Sequence, residues 1–200
     1  MKLSGPRRDL EIAEEAIRNM KTTTDFREFR ENWENFLFRI ERAWEYTERT
    51  LNKRKGSQKW HQPYQEIRKK DPLLIYLRQA RNSEVHSISD TVTKPFRLAI
   101  TDKSGRGILL DRISTHIKDG IMTVDIDSPD IFLNVDTQIL PTNPGVLRFK
   151  NRGKWFNPPW QHLRKRIDSH HPADLASLGI GFYQSYVNEA ESWLNGRELQ

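Results

Sequence analysis

Residues 71–90 of this chain read Asp-Pro-Leu-Leu-Ile-Tyr-Leu-Arg-Gln-Ala-Arg-Asn-Ser-Glu-Val-His-Ser-Ile-Ser-Asp. Asp71 suits a helix cap and Pro72 suits the first helical position, so the stretch predicts a helix over 72–88. Its apolar stripe needs other helices to bury it. Arg81, Asn82 and His86 stand where more apolar residues would be expected. Burying polar groups on such a helix costs free energy unless they are paired or serve a function, so these three residues are candidates for a catalytic or binding site.

The chain before this stretch predicts three further helices. Apolar residues at helical spacing indicate a first helix near 9–21, and Thr24 or Asp25 can cap a second helix of about 25 residues. A short helix is expected near 63–70. The second helix has the longest apolar stripe of the chain: Phe26, Phe29, Trp33, Phe36, Leu37, Ile40, Trp44 and Leu51.

After residue 90 the pattern changes from helix to strand. Short β-rich runs alternate with turn signals, of which Asp119-Gly120 is the clearest, and they predict five to seven antiparallel strands. A last helix begins at Pro172, and its stripe is expected to pack beside the early helices. The predicted fold class is α+β: a helical bundle at 1–90, an inserted antiparallel sheet at 91–160, and a C-terminal helix within 161–200 that completes the bundle.

Composition limits the possible functions. The 200 residues include no cysteine, which excludes disulfides and thiolate metal sites, and no apolar run reaches the roughly 20 residues of a membrane span. No metal or other cofactor is expected, and the simplest location is the cytoplasm. The net charge of +6 suits an acidic partner such as RNA or DNA. Lys and Arg outnumber Asp and Glu by 19 to 15 in residues 1–90 and by 8 to 5 in residues 142–200, so the excess lies at both ends.

Helical geometry constrains the polar trio. Asn82 and His86 are four residues apart and share nearly one face, whereas Arg81 and His86 are about 140° apart around the axis. A second copy of the helix in a symmetric dimer would bring both types of side chain into one pocket. A competing interpretation makes Arg81 a structural arginine paired with a glutamate of the second helix, and His86 a helix-end histidine.

The stretch from Leu77 to His86 resembles the signature of the HEPN superfamily, the higher-eukaryote and prokaryote nucleotide-binding domains, in which an arginine and a polar residue precede a histidine. Arg81, Asn82 and His86 match its three positions. The resemblance implies a helical bundle, often homodimeric, and a metal-independent endoribonuclease of the kind found in toxin–antitoxin and antiphage defence systems. Some members of the superfamily are inactive scaffolds or nucleotide-binding partners. The inserted sheet departs from the family pattern.

Imidazole can transfer protons near neutral pH, and a guanidinium can bind phosphate oxygens with two hydrogen bonds. The expected roles are therefore proton transfer for His86, phosphate stabilisation for Arg81 and positioning for Asn82. Further contacts to RNA are expected from Arg78, one turn before Asn82 on the motif helix, and from a basic connection and a basic hairpin. Each of these two segments is alternatively an ordinary solvated segment. These candidates are Arg78, Lys53, Arg54, Lys55 and Trp60, with Arg148, Lys150, Arg152 and Lys154.

The sequence thus predicts a metal-independent endoribonuclease that binds RNA, forms a homodimer and has a possible antitoxin or regulatory protein partner. The first alternative is a non-catalytic RNA- or nucleotide-binding protein that uses the same basic surface. The second is a structural partner in a larger complex, with the sheet as its docking surface.

Overall fold

The computed structural model describes residues 3–87, 90–102, 107–110, 114–118, 121–125 and 135–198, and their side chains within 3–84, 90–95 and 142–196. The chain divides into two compact units. One unit combines Met1–Thr93 with Gly145–Gln200, and the other is Lys94–Pro144. The described residues of the larger unit form five helices: α1 (Ser4–Thr22), α2 (Phe26–Leu51), α3 (Ser57–Lys70), α4 (Pro72–Ser87) and α5 (Pro172–Glu198).

Helix α2 is the centre of the bundle. Asp25 caps it by accepting hydrogen bonds from the backbone N–H groups of Arg27 and Glu28, at 2.7 and 3.2 Å. Its 26 residues make it about 39 Å long. The predicted stripe from Phe29 to Leu51 is buried, and α1 and α5 both pack against this helix. The expectation that the last helix lies beside the early helices is therefore confirmed.

Two helices begin earlier than their sequence pattern predicts. α1 begins at Ser4 instead of near residue 9, and Pro6 fits inside its first turn, where a missing N–H costs nothing. α3 begins at Ser57 instead of near Pro63, which lies inside the helix. Packing explains the second difference, because His61 precedes Pro63 and its Nε2 lies 3.0 Å from the Tyr186 hydroxyl of α5.

Eleven short strands pair in antiparallel fashion within the described residues, more than the five to seven predicted. Two-residue strands carry no readable alternation, which is why the sequence pattern misses several of them. In chain order they are β1 (Val92–Thr93), β2 (Phe96–Asp102), β3 (Gly107–Leu110), β4 (Ser114–Lys118), β5 (Ile121–Asp125), β6 (Val135–Pro141), β7 (Gly145–Val146), β8 (Phe149–Asn151), β9 (Lys154–Phe156), β10 (Gln161–His162) and β11 (Lys165–Arg166).

The larger unit holds three of the strand pairs, β1–β7, β8–β9 and β10–β11. They belong to the helical core: the Tyr76 hydroxyl of α4 donates a hydrogen bond to the Leu147 carbonyl at 2.7 Å, and the Tyr76 and Phe149 rings lie 5.2 Å apart. The sequence places the inserted sheet at 91–160, whereas the separate unit ends at Pro144. Aromatic packing onto α4 is the physical reason for the difference.

The smaller unit contains a three-stranded sheet in the order β3-β2-β6 and the pair β4–β5. β4 and β5 pair as far as Lys118 and Ile121, where the Asp-Gly signal predicts a hairpin; Asp119 and Gly120 themselves lie outside the described residues. The chain as a whole is mainly helical with small antiparallel strand pairs, consistent with the α+β class. None of the helices in the described ranges is long and apolar enough to cross a membrane.

Two glycines of α5 form a matched pair for testing how closely α4 and α5 pack. A Cβ at Gly179 would lie 2.5 Å from Cδ1 of Leu77, which is fully buried, whereas a Cβ at Gly181 would meet nothing within 4 Å. We expect Gly181→Ala to raise the free energy of unfolding by up to about 1 kcal/mol through helix propensity. We expect Gly179→Ala to lower it by about 1–3 kcal/mol, because a packed leucine must move. Urea denaturation measures both, and equal stabilisation by the two changes would contradict the packing described.

Candidate nucleic-acid interface

Helix α4 has one buried face and one open face. Leu73, Tyr76 and Leu77 are at most 1% exposed, as the core-facing stripe of an amphipathic helix should be. The other side of the helix carries side chains that are only partly buried: Ile75, Arg78, Gln79 and Asn82. Of the polar residues that the sequence singles out, Arg78 and Asn82 lie on this open face.

A cleft of about 390 Å³ lies between the open face of α4 and the hairpin of β8 and β9. That volume is within the range of sites for small ligands or a single nucleotide-sized group. Four of the described residues that line it are cationic, and none of them is acidic, so the cleft suits an anion. The lining residues are Lys69, Ile75, Arg78, Gln79, Asn82, Asn151, Arg152, Lys154 and Phe156. We call this the α4 cleft.

Two residues of the predicted trio are hydrogen-bonded to each other. Arg81 Nη1 donates to Asn82 Oδ1 at 3.2 Å, so the amide that lines the cleft also holds the neighbouring guanidinium. Arg81 itself does not line the cleft. The Nε atoms of Arg78 and Arg81 are both buried without a hydrogen-bond partner among the described residues. Buried donors of this kind gain free energy when an acceptor such as a phosphate oxygen arrives.

The buried glutamate of the second helix pairs with an arginine other than Arg81. Glu41 of α2 pairs with Arg68 of α3, whose guanidinium carbon lies 4.4 Å from the centroid of the Trp44 ring. Both side chains of this pair are less than one-tenth exposed. None of the described acids is within ion-pair distance of Arg81. The ion pair that the competing interpretation expects for Arg81 is therefore not found among the described residues.

His86 belongs to α4, one turn beyond Asn82, and its side chain lies outside the described residues. Its position in the helix is on the side of α4 that carries Asn82, as the spacing of four residues requires. The arrangement of the imidazole relative to Arg81 stays a prediction.

The hairpin of β8 and β9 supplies the second wall of the cleft. Asn151 Nδ2 donates to Gln79 Oε1 at 2.9 Å, which ties the hairpin to α4. Arg152 and Gly153 form the turn with left-handed φ angles of 47° and 80°, so the sequence Asn-Arg-Gly closes the hairpin as predicted. Arg152 and Lys154, two of the predicted RNA contacts, are exposed and reach the cleft.

Arg148 and Lys150 lie on the same hairpin but outside the cleft lining. Lys150 is exposed, and the Arg148 guanidinium carbon lies 4.3 Å from the centroid of the Trp155 ring. This cation–π contact holds Arg148 against the outer face of the hairpin. Both residues therefore add positive charge around the α4 cleft without forming part of it.

The predicted contacts of the α2–α3 connection lie elsewhere. Lys53, Arg54 and Lys55 are exposed, and Arg54 lines a separate cleft of about 360 Å³ together with His61. Burial lowers the pKa of His61, which makes it a neutral packing residue. Trp60 is half-buried, with its ring 5.1 Å from Tyr64 and 5.9 Å from Trp193. The ring is thus an anchor in an aromatic cluster and not an open stacking surface.

Asp71 connects the start of α4 to a second hairpin, formed by β10 and β11. Its Oδ1 accepts the N–H of Leu74 at 3.0 Å, which confirms the predicted cap, and lies 3.0 Å from Nδ1 of His162. Its Oδ2 accepts the N–H of Leu163 at 2.6 Å. Burial would raise the pKa of this carboxyl, but these hydrogen bonds outweigh burial and hold the pKa below its ordinary value.

We expect Asp71→Asn to lower the free energy of unfolding by about 2–4 kcal/mol at pH 6, because the cap weakens and buried partners lose a charged acceptor. A depressed pKa contributes stability above the ordinary value of 3.8 and loses it as the pH falls through the folded-state value. The difference between the wild type and the variant should therefore shrink below pH 3.8 in urea denaturation. A difference that does not change with pH would contradict the role given to the carboxylate.

Sequence reasoning missed several residues of the α4 cleft. Lys69 lies in the last turn of α3 and belongs to no motif, and the sequence identifies Asn151 only as part of the Asn-Arg-Gly hairpin turn. The signal that could have revealed the cleft is the helical spacing of Ile75, Gln79 and Asn82. Residues four and three positions apart share one side of a helix, and this is the side of α4 that the core leaves open. Comparison of the chain with protein-family models, with curated proteins and with solved structures finds no match.

Proposed function

We propose that this protein is a metal-independent endoribonuclease of HEPN type, and that the α4 cleft binds the RNA backbone. The observation that carries the proposal is the convergence of Arg78 and Asn82 of α4 with Arg152 and Lys154 of the hairpin on one cleft, whose described lining includes no acid. Two separate sequence signals, the α4 motif and the basic hairpin, meet there, although more than sixty residues separate the helix from the hairpin in the chain. Phosphate groups are the natural ligand for such a concentration of positive charge.

The chemistry follows from these side chains. The 2′-hydroxyl of RNA attacks the adjacent phosphorus while the bond to the 5′-oxygen breaks, giving a 2′,3′-cyclic phosphate and a 5′-hydroxyl. In the proposal, His86 transfers the proton that one of these oxygens loses or gains. Arg81 stabilises the negative charge that develops on the phosphoryl oxygens. Asn82 positions Arg81 through the hydrogen bond between their side chains.

Arg81 lies beside the cleft and not on its wall, so one copy of the chain presents Asn82 and Arg78 more directly than Arg81. A homodimer that places two α4 helices face to face would add the partner's Arg81 to the cleft. We include this dimer in the proposal. A protein antitoxin or regulator that covers the cleft, and a setting in toxin or antiphage defence, follow from the HEPN resemblance alone.

Incubation of the purified protein with total RNA in EDTA tests the proposal. The expected result is new RNA fragments with 2′,3′-cyclic phosphate ends and 5′-hydroxyl ends, lost in Asn82→Ala. Asn52→Ala is the matched control, because it removes an exposed amide from the separate cleft beside Arg54. Absence of cleavage by the wild type, or equal cleavage by Asn82→Ala, would contradict the proposed function.

A second candidate function is non-catalytic RNA binding through the same cleft. The observation in its favour is that Arg81 donates to Asn82 instead of lining the cleft. The same experiment separates the two functions when binding is measured alongside cleavage. A non-catalytic protein would bind RNA without producing new ends, whereas the enzyme would bind RNA and also produce new ends.

A further inference from the structure

The surface around the β10–β11 hairpin combines exposed apolar rings with positive charge. Of the seven large hydrophobic side chains that are exposed in the described parts of the chain, three fall between residues 155 and 163. They are Trp155, Trp160 and Leu163, which are 55%, 65% and 48% exposed. Residues 145–170 carry seven Lys and Arg against a single acid, Asp168. Exposed apolar area of this kind marks an interaction site when charge surrounds it.

Trp160 differs from Trp155 in what covers its ring. The Arg148 guanidinium lies over Trp155, whereas Trp160 takes part in none of the ring–ring or cation–ring contacts found among the described residues. Trp160 lies at the edge of a cleft of about 520 Å³ whose other walls include Arg164, Arg166 and His170. Arg166 pairs only loosely with Asp168, at 3.8 Å, and both groups are almost fully exposed. The guanidinium groups therefore remain accessible beside an open indole face.

The hairpin is held in place although its turn is strained. Leu163 and Arg164 adopt left-handed φ angles of 46° and 66°, which glycine or asparagine would adopt at lower cost. The backbone N–H of Ile167 donates to the Trp160 carbonyl at 3.0 Å and closes the base of the hairpin. Asp71 binds its tip through Leu163 and His162. An exposed leucine kept at a strained position on a firmly anchored turn is typical of a binding site.

We propose that the Trp160 cleft is a second binding site for single-stranded RNA, in which an unpaired base stacks on Trp160 and its flanking phosphates bind Arg164 and Arg166. A ring together with two guanidinium groups matches what a nucleotide presents, a flat base beside a negative charge. A paired base is not available for stacking on an exposed ring, so the site selects unpaired RNA. This inference depends on the proposed function only in taking RNA as the ligand.

The anchoring by Asp71 links the two sites. Asp71 caps α4 and holds the hairpin, while Asn82 lies eleven residues further along the same helix, about 16 Å along the axis. In the proposal, one RNA strand occupies both the α4 cleft and the Trp160 cleft. The second site would then fix the register in which unpaired RNA enters the α4 cleft.

Fluorescence anisotropy with a short 2′-O-methyl oligouridine tests the inference, because methylation removes the nucleophile and separates binding from cleavage. We expect Trp160→Ala to weaken binding about tenfold or more and Trp160→Phe to retain most of the affinity, as stacking requires. A blunt duplex of the same length should bind both variants as it binds the wild type. Arg164→Gln combined with Arg166→Gln should reduce the slope of log affinity against log salt by roughly 1.4. Trp155→Ala is the matched control and should have a smaller effect.

Unchanged binding in Trp160→Ala, or equal losses for the oligouridine and the duplex, would overturn the inference. Loss of a dimer in Trp160→Ala with unchanged RNA binding would instead identify the surface as a protein contact and would also overturn it. The proposed nuclease activity is tested separately. If the wild type cuts no RNA in EDTA but Trp160→Ala weakens oligouridine binding as expected, the nuclease proposal is wrong and the second binding site stands. If the wild type cuts RNA and Trp160→Ala binds the oligouridine normally, the nuclease proposal stands and the second binding site is rejected.

Discussion

His86→Ala is expected to slow RNA cleavage by about 10²–10⁴-fold, because proton transfer by a positioned imidazole contributes that factor in general acid–base catalysis. RNA affinity should stay within about twofold of the wild type, since the cationic residues of the α4 cleft that bind phosphate are untouched. Helicity should also be retained, because alanine is the better helix former at this position in α4. Single-turnover cleavage of a labelled RNA in EDTA measures the rate, and circular dichroism checks the fold.

His171→Ala provides a matched control for this prediction. That imidazole packs 5.6 Å from the Phe29 ring and lies outside the lining of the α4 cleft. Its removal should leave the cleavage rate within about twofold of the wild type once any loss of stability is accounted for. Equal rates for wild type and His86→Ala would remove His86 from the mechanism, and equal losses in the two histidine variants would point to a folding effect.

Glu41→Ala should have the largest effect on stability. The change leaves Arg68 in the core without its acid, with its charge facing the Trp44 ring, and breaking one side of a buried ion pair costs about 3–5 kcal/mol. Urea denaturation measures the loss. Glu31→Ala is the control on the same helix, because the pair of Glu31 with Arg27 is exposed and its removal should cost no more than about 0.5 kcal/mol. Similar losses in the two variants would contradict the structural role given to the buried pair.

The helical part of the fold could be predicted well from the sequence because its signals are local. The stripe of α2, the caps at Asp25 and Asp71, and the proline at the start of α5 each act within one or two turns. The predicted start of α3 is wrong because a proline inside a helix resembles a proline at its start. The predicted start of α1 is wrong because the apolar spacing that indicates this helix begins only at Leu10. Packing of His61 against Tyr186, more than 120 residues away, extends α3 past Pro63 and leaves no local mark.

The candidate site was predictable only in part. The α4 motif indicates Arg78 and Asn82, and the basic hairpin indicates Arg152 and Lys154, but nothing in the sequence says that the two pairs share one cleft. Their meeting depends on the hydrogen bond between Asn151 and Gln79 and on the packing of Phe149 against Tyr76. The expected burial of Arg81 assumed a regular apolar stripe. The fully buried stripe instead passes through Leu77, Ala80 and Ser83 and leaves Arg81 at its edge.

The most direct test of the central claim, that RNA binds in the α4 cleft, is photo-crosslinking of the wild-type protein to RNA containing 4-thiouridine, with the linked peptides identified by mass spectrometry. The account predicts crosslinks in the segment from Ile75 to Asn82 and in the hairpin from Asn151 to Phe156, both of which line the cleft. Crosslinks confined to the connection from Lys53 to Lys59, with none on α4 or the hairpin, would contradict it.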